Sequence, residues 1–353
     1  MTRTMAYCLN NIAQRHKLDF SLWSVYDRNE DLVQKYLPAT RFNGFSANRL
    51  KFIVEAIKLG GKCNTLIISH INMSSVGLAI KILNPKCRVM LVAHGIEVWR
   101  PLTLFKRMFL KNCDKVICVS EFTRHEIIRR HKVDADKCVI INNAIDPFMS
   151  LPDKLSKTES LLARYGITSD NDILFTLTRL ANTEQYKGYD QVIRSLGKLK
   201  SEFSGIRYVL AGKYDDKEKQ RIEQLIAEHN AEGLVILPGF VNEEELTGHF
   251  LMADLFVLPS KKEGFGIVFI EALACGLPVI CGNTDGSLDA IKCGELGKAI
   301  DPDNQTELEL EIVKHLKNRH RLTDRARLQQ QCISYFNSDN YIQKLEKVLI
   351  NDW

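Results

Sequence analysis

The amino-acid sequence predicts an α/β protein built from two doubly wound parallel-sheet domains. Short apolar runs alternate with helix-period segments along almost the whole chain, which is the pattern of a parallel sheet covered by helices on both faces. The length of 353 residues suits about two domains with separate cores. A polar, turn-rich segment, LPDKLSKTES (151–160), is the natural hinge. We therefore expect domains over 1–150 and 151–335.

The first half contains candidate strands and helices in alternation. The strands are FSLWSVY (20–26), TLIISH (65–70), RVMLVAH (88–94), KVICVS (115–120) and KCVIINN (137–143), and the helices lie near 4–16, 49–59, 74–83, 101–112 and 121–131. A helix comes first, although a doubly wound domain usually begins with a strand and a turn. We expect that the first strand, with its glycine-rich turn, is missing and that the native chain begins upstream of Met1. The alternative is an unusual natural domain.

The second half repeats the alternation. Its candidate strands are DILFTLTRL, IRYVLAG, LVILPGF, DLFVLPS and LPVICGN. From about Glu307 the pattern is helical as far as Trp353. We expect a C-terminal helix, at about 336–353, to pack back on the first domain.

The composition excludes several classes of protein. Charged residues make up 26% and hydrophobic residues 45%, as in ordinary globular proteins. No apolar run approaches the roughly 18–20 residues of a membrane span, and the first residues lack the apolar core of a signal peptide. The ten cysteines form no Cys-x-x-Cys pair, which disfavours zinc ribbons and redox motifs. We expect a cytoplasmic protein with reduced, mostly buried thiols.

The charge is unevenly distributed along the chain. Residues 1–150 carry 23 Lys and Arg against 12 Asp and Glu, a net charge of +11, whereas the remainder has a net charge of −6. Such a basic half favours an anionic partner, namely nucleic acid, a phospholipid surface or a phosphorylated lipid acceptor. A merely solvated basic face explains the charge equally well.

The segment RPLTLFKRMFLKNCDK (100–115) combines apolar and basic residues. It sets Leu104, Phe105, Met108 and Phe109 against Arg100, Lys106, Arg107 and Lys111. Basic amphipathic helices can lie on anionic membranes. More often such an apolar stripe packs on a sheet, and we favour that interpretation.

One motif, EGFGIVFIEALACG (263–276), places a glutamate within an almost wholly apolar segment. Gly264 and Gly266 allow a tight turn and a close approach of a ligand to the backbone. The helix that follows would point free N–H groups at a phosphate, and Glu271 in its second turn could bind a pair of sugar or ribose hydroxyls. A lone motif of this kind is more often a glycine turn before a core helix with one salt-bridged glutamate.

A second motif, TRLANTEQYKGYDQVI, places Arg179 after a strand and Lys187 at the start of a helix. A guanidinium and an ammonium at the carboxyl end of a strand can hold a diphosphate, in the crevice where open α/β sheets bind ligands. Each cation alone would be interpreted as an ordinary surface residue.

Taken together, the motifs resemble the retaining glycosyltransferases of family 4, known also as glycosyl transferases group 1. In the second half the resemblance lies in Arg179, Lys187-Gly188, AGK (211–213), LPGFV (237–241) and LFVLPSKKEGFGIVFIEALACGLPVI (255–280). In the first half it lies in AHGIEVW (93–99), VSEFTRHEI (119–127) and NNAIDPF (142–148). The resemblance implies a GT-B fold, with two Rossmann-like domains facing each other across a cleft.

The resemblance also implies roles for individual residues. Arg179 and Lys187 would hold the diphosphate of a nucleotide-sugar, and His94 would contact the donor sugar or its phosphate. Glu263 would bind sugar hydroxyls, and Glu271 the ribose. The remaining donor contacts would come from the backbone at Gly239, Val241, Gly264, Phe265, Gly266 and Ile267.

This arrangement implies a UDP- or GDP-sugar as co-substrate, with no other cofactor and no metal. Two cations and a helix N-terminus would stabilise the leaving diphosphate. Ala144 stands where the family usually has glycine, and Asp289 where glutamate is usual. The implied function is a hexosyltransferase that transfers a sugar to a glycan or lipid-linked acceptor for cell-surface polysaccharide or glycolipid synthesis. We expect peripheral contact with an anionic membrane. We do not expect nucleic acid as a partner.

Three alternatives accompany this hypothesis. A truncated or inactive chain would bind the donor without catalysis. A GT-B sugar-nucleotide epimerase is disfavoured by the context of Lys187 and by the paired glutamates. A Rossmann dehydrogenase is disfavoured because no Gly-x-Gly-x-x-Gly follows a strand.

Overall fold

The computed structural model describes residues 2–318 and 322–351. The described chain divides into two compact units. The first unit comprises the described residues within Met1–Pro147 and Phe336–Trp353, and the second unit is Phe148–Tyr335. The last residues of the predicted C-terminal helix, Asp352 and Trp353, lie outside the described residues.

The strands of the described chain follow the predicted apolar runs, with two additions. They are β1 (Leu22–Ser24), β2 (Phe42–Gly44), β3 (Thr65–Ile68), β4 (Arg88–Ala93), β5 (Lys115–Cys118), β6 (Cys138–Ile140), β7 (Ile173–Leu177), β8 (Arg207–Ala211), β9 (Val235–Gly239), β10 (Leu255–Leu258), β11 (Val279–Gly282) and β12 (Lys298–Ile300). The sequence did not predict β2 and β12. Each has only three residues, FNG and KAI, and neither lies in an apolar run.

The helices connect these strands and cover them. They are α1 (Thr2–Arg15), α2 (Arg49–Gly60), α3 (Ser74–Leu83), α4 (Ile96–Trp99), α5 (Leu104–Asn112), α6 (Glu121–His131), α7 (Glu159–Arg164), α8 (Tyr189–Glu202), α9 (Asp216–Glu228), α10 (Glu243–Met252), α11 (Ile267–Ala274), α12 (Ser287–Ala290), α13 (Gln305–Lys317), α14 (Leu322–Phe336) and α15 (Ser338–Glu346). Within the described residues, no helix is both long and apolar enough to cross a bilayer.

The second unit contains one parallel sheet with the strand order β12-β11-β10-β7-β8-β9. The chain enters at the central strand β7, moves outward through β8 and β9, and then returns to the other side of β7 to form β10. This is the doubly wound order, and the direction of winding reverses between β7 and β10. In such sheets ligands bind beyond the carboxyl ends of the strands at this switch point.

Apolar side chains hold the second sheet between its helices. The central strands ILFTL and LFVL are almost fully buried, because helices cover both faces of the sheet. One buried cluster joins the strands to α8, α9 and α13, and its members include Leu174, Val192, Tyr208, Ile222, Leu255 and Ile312. This packing fixes the positions of the strand ends from which the site is built.

The first unit contains a four-stranded parallel sheet in the order β3-β4-β5-β6 and a separate parallel pair, β1-β2. We expected FSLWSVY to belong to the main sheet. In the described structure its strand β1 instead pairs with β2, with Leu22 opposite Phe42. The half-buried β1 has only three residues, and its parallel partner is a strand that the apolar pattern did not reveal.

Helices cover both faces of the four-stranded sheet. On one face, α1 and α15 pack together over Met90, Val92 and Ile117. On the other face, a second apolar cluster includes residues from α3, α5 and α6. The described part of the C-terminal helix thus belongs to the core of the first unit.

Helix α5 does not pack its whole apolar stripe on the sheet, although the sequence pattern predicts this. Of the four residues in its apolar stripe, only Phe109 is buried, together with its neighbour Leu110. Leu104, Phe105 and Met108 are exposed. The prediction that the stripe packs on the sheet is therefore wrong for three of its four members, because the helix contacts the unit through the opposite face.

The ten cysteines are free thiols, and eight of them are buried. Cys63 is half-buried and Cys293 is exposed. Burial raises the pKa of the Cys8 thiol and of the Cys275 thiol to about 12 in each case. These two thiols therefore stay protonated at neutral pH and behave as small apolar side chains.

Candidate functional site

The predicted donor residues of the second unit lie at the carboxyl ends of neighbouring strands. Backbone hydrogen bonds join the loops that leave β7, β8 and β9: Thr178 N donates to Ala211 O (3.0 Å), Leu180 N to Lys213 O (3.1 Å) and Gly212 N to Gly239 O (2.8 Å). These bonds bring the segment around Arg179 and the segment around Gly239 to one edge of the sheet.

A close backbone approach brings Lys187 to the loop after β10. Gly188 has φ 85°, and a Cβ at this position would lie 2.4 Å from Pro259 O. The backbone N–H of Lys261 also donates to Tyr186 O at 2.9 Å. Only glycine fits both the left-handed backbone and the narrow space, so the Lys-Gly pair positions Lys187 beside the loop.

Lys187 and Glu263 form an ion pair at the switch point. The Lys187 Nζ contacts Glu263 Oε1, and the two side chains are only 13% and 14% exposed. Removing one partner would leave the other charge partly desolvated, which is costly. Two predicted site residues from loops on either side of the switch point therefore meet directly.

A buried carboxylate that the motifs do not include, that of Asp285, holds the backbone of Glu263. Asp285 Oδ2 accepts a hydrogen bond from Glu263 N (2.6 Å), and Asp285 Oδ1 accepts one from Ser287 N (2.9 Å). Gly286 N in turn donates to Glu263 O at 2.8 Å. The signal in the sequence was an aspartate in a Gly- and Ser-containing turn after a strand, where such side chains often bind backbone N–H groups.

Burial dominates the electrostatics of Asp285. The side chain is fully buried, and this desolvation, with a smaller contribution from the Glu263 carboxylate, raises the pKa of Asp285 to about 7. The two backbone donors act in the opposite direction but are outweighed. The anchor of the Glu263 loop therefore titrates near neutral pH.

The Gly-Phe-Gly turn leads directly into α11. Gly266 has φ 82° and immediately precedes Ile267, the first residue of the helix. Gly264 O lies only 2.1 Å from where a Cβ on Gly286 would be, so the turn packs closely on the Asp285 loop. Phe265, between the two glycines, is buried.

Helix α11 buries one face and leaves the other partly open. Phe269, Ile270 and Leu273 are fully buried, whereas Ile267 and Glu271 are half-buried. Because residues four apart lie on the same side of a helix, Ile267 and Glu271 share the open face. The glutamate in the apolar segment is therefore not a core residue.

Arg179 lies at the exposed margin of this region. Its side chain is 72% exposed, and its guanidinium contacts Glu184 Oε1 at 2.6 Å. Glu184, which is 13% exposed, belongs to the 3-10 helix Asn182–Lys187 that ends at Lys187. The sequence pattern does not identify Glu184 as a site residue, since nothing in a lone glutamate reveals its partner.

The segment predicted to meet the base lies at the end of β9. Gly239 has φ 79°, and Tyr214 OH lies 3.9 Å from where its Cβ would be. Val241 is half-buried, and the intervening Phe240 is 71% exposed.

His94 directly follows β4 in the first unit. Its Nε2 lies 2.7 Å from Ser69 O and donates to it in the neutral tautomer, and its backbone N–H donates to Glu97 Oε1 at 2.6 Å. The buried Nδ1 has no hydrogen-bond partner among the described residues. Burial lowers the pKa of His94, although Glu97 opposes the shift, so the imidazole is neutral at pH 7.

In the described ranges, no group of three or more His, Cys, Asp and Glu side chains is arranged to hold a metal ion.

Two family models match the chain, one in each half. Residues 158–334, which are half of the chain, match the family described as Glycosyl transferases group 1. The chain belongs to this family. Residues 16–147 match Glycosyltransferase Family 4. The predicted family is thus confirmed. The predicted enzyme class, hexosyltransferase-type glycosyltransferase, is confirmed with it.

Two relatives illustrate the similarity in sequence. The GDP-mannose-dependent alpha-(1-6)-phosphatidylinositol monomannoside mannosyltransferase of Mycolicibacterium smegmatis is 29% identical over 61% of this chain and 57% of its own length. The O-antigen chain mannosyltransferase B of Escherichia coli is 28% identical over 59% of this chain and 53% of its own length. The chain spans about half the length of the curated relatives it matches.

Similarity in structure extends over nearly the whole chain. The crystal structure of Anabaena Alr3699/HepE in complex with UDP and glucose has a TM-score of 0.77 at 19% identity. The similarity covers 98% of this chain and 95% of that one. The predicted GT-B fold with Rossmann-like domains is confirmed.

Asp285 makes the stability of the second unit depend on pH. Since its pKa is raised from 3.8 to about 7, the folded state binds this proton more tightly than the unfolded state does. The contribution to stability is therefore fully present below pH 3.8 and is lost as the pH rises to about 7. Asparagine has a similar shape but does not titrate. The wild type therefore loses stability as the pH rises from 3.8 to about 7, and Asp285→Asn does not. We expect the free energy of unfolding of the variant minus that of the wild type to increase by up to about 4 kcal/mol over this rise in pH.

Urea unfolding followed by circular dichroism, at several pH values between about 4 and about 8, measures this difference. A difference between Asp285→Asn and wild type that does not vary with pH would contradict the raised pKa.

Proposed function

We propose that this chain is a retaining glycosyltransferase that moves a sugar from a nucleotide-diphosphate sugar to a glycan or lipid-linked acceptor. The observation that carries the proposal is the ion pair of Lys187 and Glu263 at the switch point of the second sheet. This pair places an ammonium and a carboxylate side by side where open α/β sheets bind ligands.

The two members of the pair suit the two ends of a sugar–diphosphate bond. Breaking that bond leaves negative charge on the diphosphate and positive charge on the sugar. In the proposal, Lys187 moves its contact from Glu263 to the diphosphate, and Arg179 adds a second cation. Glu263 is then free to accept hydrogen bonds from sugar hydroxyls. Fixed charges in a partly desolvated site stabilise such a charge separation more strongly than water does.

The backbone supplies the remaining donor contacts in the proposal. The N–H groups of Gly264, Phe265, Gly266 and Ile267 would bind the sugar and phosphate oxygens. Gly266 and Ile267 stand at the start of α11, where the first N–H groups of the helix have no partner within it. Glu271, on the open face of α11, would bind the ribose. Gly239 and Val241 would contact the base. The two cations and the helix N-terminus provide the countercharge, so the proposal includes no metal and no further cofactor.

The named relatives support the class of donor and acceptor. One is a GDP-mannose-dependent phosphatidylinositol monomannoside mannosyltransferase, and another is an O-antigen chain mannosyltransferase. The Anabaena structure contains UDP and glucose. We therefore propose a UDP- or GDP-sugar donor and an acceptor of cell-surface polysaccharide or glycolipid synthesis. We place the enzyme in the cytoplasm, with peripheral contact to anionic membrane through its basic first unit.

Substitutions of the ion pair test the donor site. We expect Lys187→Ala and Glu263→Ala to lower turnover by about two orders of magnitude or more, since each removes a fixed charge that acts on the transition state. The measurement is release of nucleoside diphosphate from a panel of UDP- and GDP-sugars, with circular dichroism to verify folding. The matched control is Lys198→Ala, which removes a 71% exposed side chain that pairs with Glu309 in the same unit and should leave turnover within about twofold.

Unchanged turnover in both Lys187→Ala and Glu263→Ala would refute the assignment of this site. A wild-type chain that binds a nucleotide-sugar but never releases the diphosphate would support the donor-binding, inactive alternative instead.

His94 is proposed to accept a hydrogen bond from a hydroxyl of the donor sugar. This role is favoured over a phosphate contact because Nε2 donates to Ser69 O, so the neutral ring has only Nδ1 left, as an acceptor. We expect His94→Ala to lower kcat by about tenfold or more with a smaller change in KM, and His94→Asn to recover part of the loss. Equal kinetics in wild type and His94→Ala would show that His94 is only structural.

A further inference from the structure

Helix α5 presents three large apolar side chains to solvent. Leu104, Phe105 and Met108 are 70%, 67% and 45% exposed. With about 100° of rotation per residue, the three lie on one side of the helix, and Phe109 and Leu110 lie on the side that is buried in the unit. Single exposed apolar residues are ordinary, but a contiguous group of this size indicates an interaction surface.

The surroundings of this apolar group are basic. The segment 100–112 contains four cations and no carboxylate. Arg100, Arg107 and Lys111 are exposed. The fourth cation, Lys106, donates to Asn72 Oδ1 at 2.6 Å and so ties the first turn of α5 to the loop after β3. The helix is thus held to the unit while its apolar face points outward.

A second exposed apolar strip lies at the same edge of the sheet. Leu50, Ile53 and Val54 of α2 are 80%, 38% and 50% exposed. Helices α2 and α5 each lead through a short turn into a strand of the parallel sheet, β3 and β5 respectively. The first turns of both helices therefore lie towards the carboxyl ends of the strands. Apolar surface is exposed at two points along one edge of the first unit.

We propose that Leu104, Phe105 and Met108, together with Arg100, Arg107 and Lys111, form a surface that docks on an anionic lipid bilayer. We call this surface the α5 docking face. This proposal rests on the proposed function in one respect: it assigns to named residues the peripheral membrane contact that the proposed function includes. The apolar side chains enter the boundary between headgroups and acyl chains, and the three cations contact anionic headgroups.

Charge complementarity favours a membrane over a second copy of this chain. A symmetric contact between two copies would bring the same cations together, with no carboxylate within the segment to neutralise them. An anionic bilayer supplies the opposite charge over a wide area. Arginine and lysine also have flexible apolar stems, which let their charged groups reach headgroups while the neighbouring apolar residues insert.

Co-sedimentation of the full chain with vesicles tests the proposal. We expect binding to phosphatidylcholine vesicles that contain about 30% phosphatidylglycerol, weaker binding at high salt, and little binding to pure phosphatidylcholine. The double variant Phe105→Ser with Met108→Ser should weaken binding by about tenfold or more, and Arg100→Gln with Lys111→Gln should do the same. All four positions are exposed, so folding should be retained.

The matched control is Ile82→Ser, at another exposed apolar residue of the first unit. Ile82 is 75% exposed at the end of α3, which leads into β4, so it lies at the opposite edge of the sheet. We expect this variant to bind vesicles as the wild type does.

Three results would overturn the proposal: equal binding to both kinds of vesicle, unchanged binding in both double variants, or an equal loss in Ile82→Ser. A concentration-dependent dimer that dissociates in Phe105→Ser with Met108→Ser, without vesicle binding, would assign the face to self-association instead.

Binding of UDP and GDP to the same variants separates this proposal from the proposed function. The α5 variants should bind nucleotide as the wild type does. Failure of the wild type to bind any nucleotide would refute the donor site and leave the vesicle result unaffected.

Discussion

The candidate site depends on the ion pair between Lys187 and Glu263. Taking two charges partly out of water is costly, and the attraction between them offsets that cost only where the geometry is well fixed. Two backbone features provide this geometry: the left-handed Gly188 packed on Pro259, and the hydrogen bonds from Glu263 and Gly286 within the neighbouring loop. The pair is thus positioned by the main chain and not only by side-chain preference.

The sheet order explains why this constraint falls where it does. Because β7 starts at the centre and β10 returns beside it, the loops after these two strands leave the sheet next to each other in opposite directions. The loop after β11 reaches the same place and contributes Asp285. A carboxylate that is fully buried there titrates near neutral pH, so the packing that makes the site rigid also links its stability to protonation.

The two units divide the chemistry of the molecule between them. The second unit carries the paired charges and the glycine turn, which suit a nucleotide-sugar. The first unit carries the excess of positive charge and, on α5, a group of apolar side chains exposed to solvent. This division agrees with the two proposals, a donor site in the second unit and a surface of the first unit that meets an anionic membrane.

The sequence by itself determined the fold class, most strands and helices, and the family. These features depend on local periodicity and on motifs whose residues are close together in the chain, such as the Gly-Phe-Gly turn before α11. The same information predicted Lys187 and Glu263 separately, but not their contact. They are 76 residues apart in the chain, and only the winding of the sheet brings them together.

The tertiary structure alone decided which residues are partners and which faces are buried. Asp285 and Glu184 gain their significance from loops that pack beside them, and no local pattern encodes such a neighbour. The pairing of β1 with β2, apart from the main sheet, could not be predicted, because β2 is too short to give an apolar period. For α5, the sequence showed a stripe of apolar residues but not its direction. Whether such a stripe faces a sheet or solvent depends on how the helix is attached to its neighbours, and that attachment comes from distant segments of the chain.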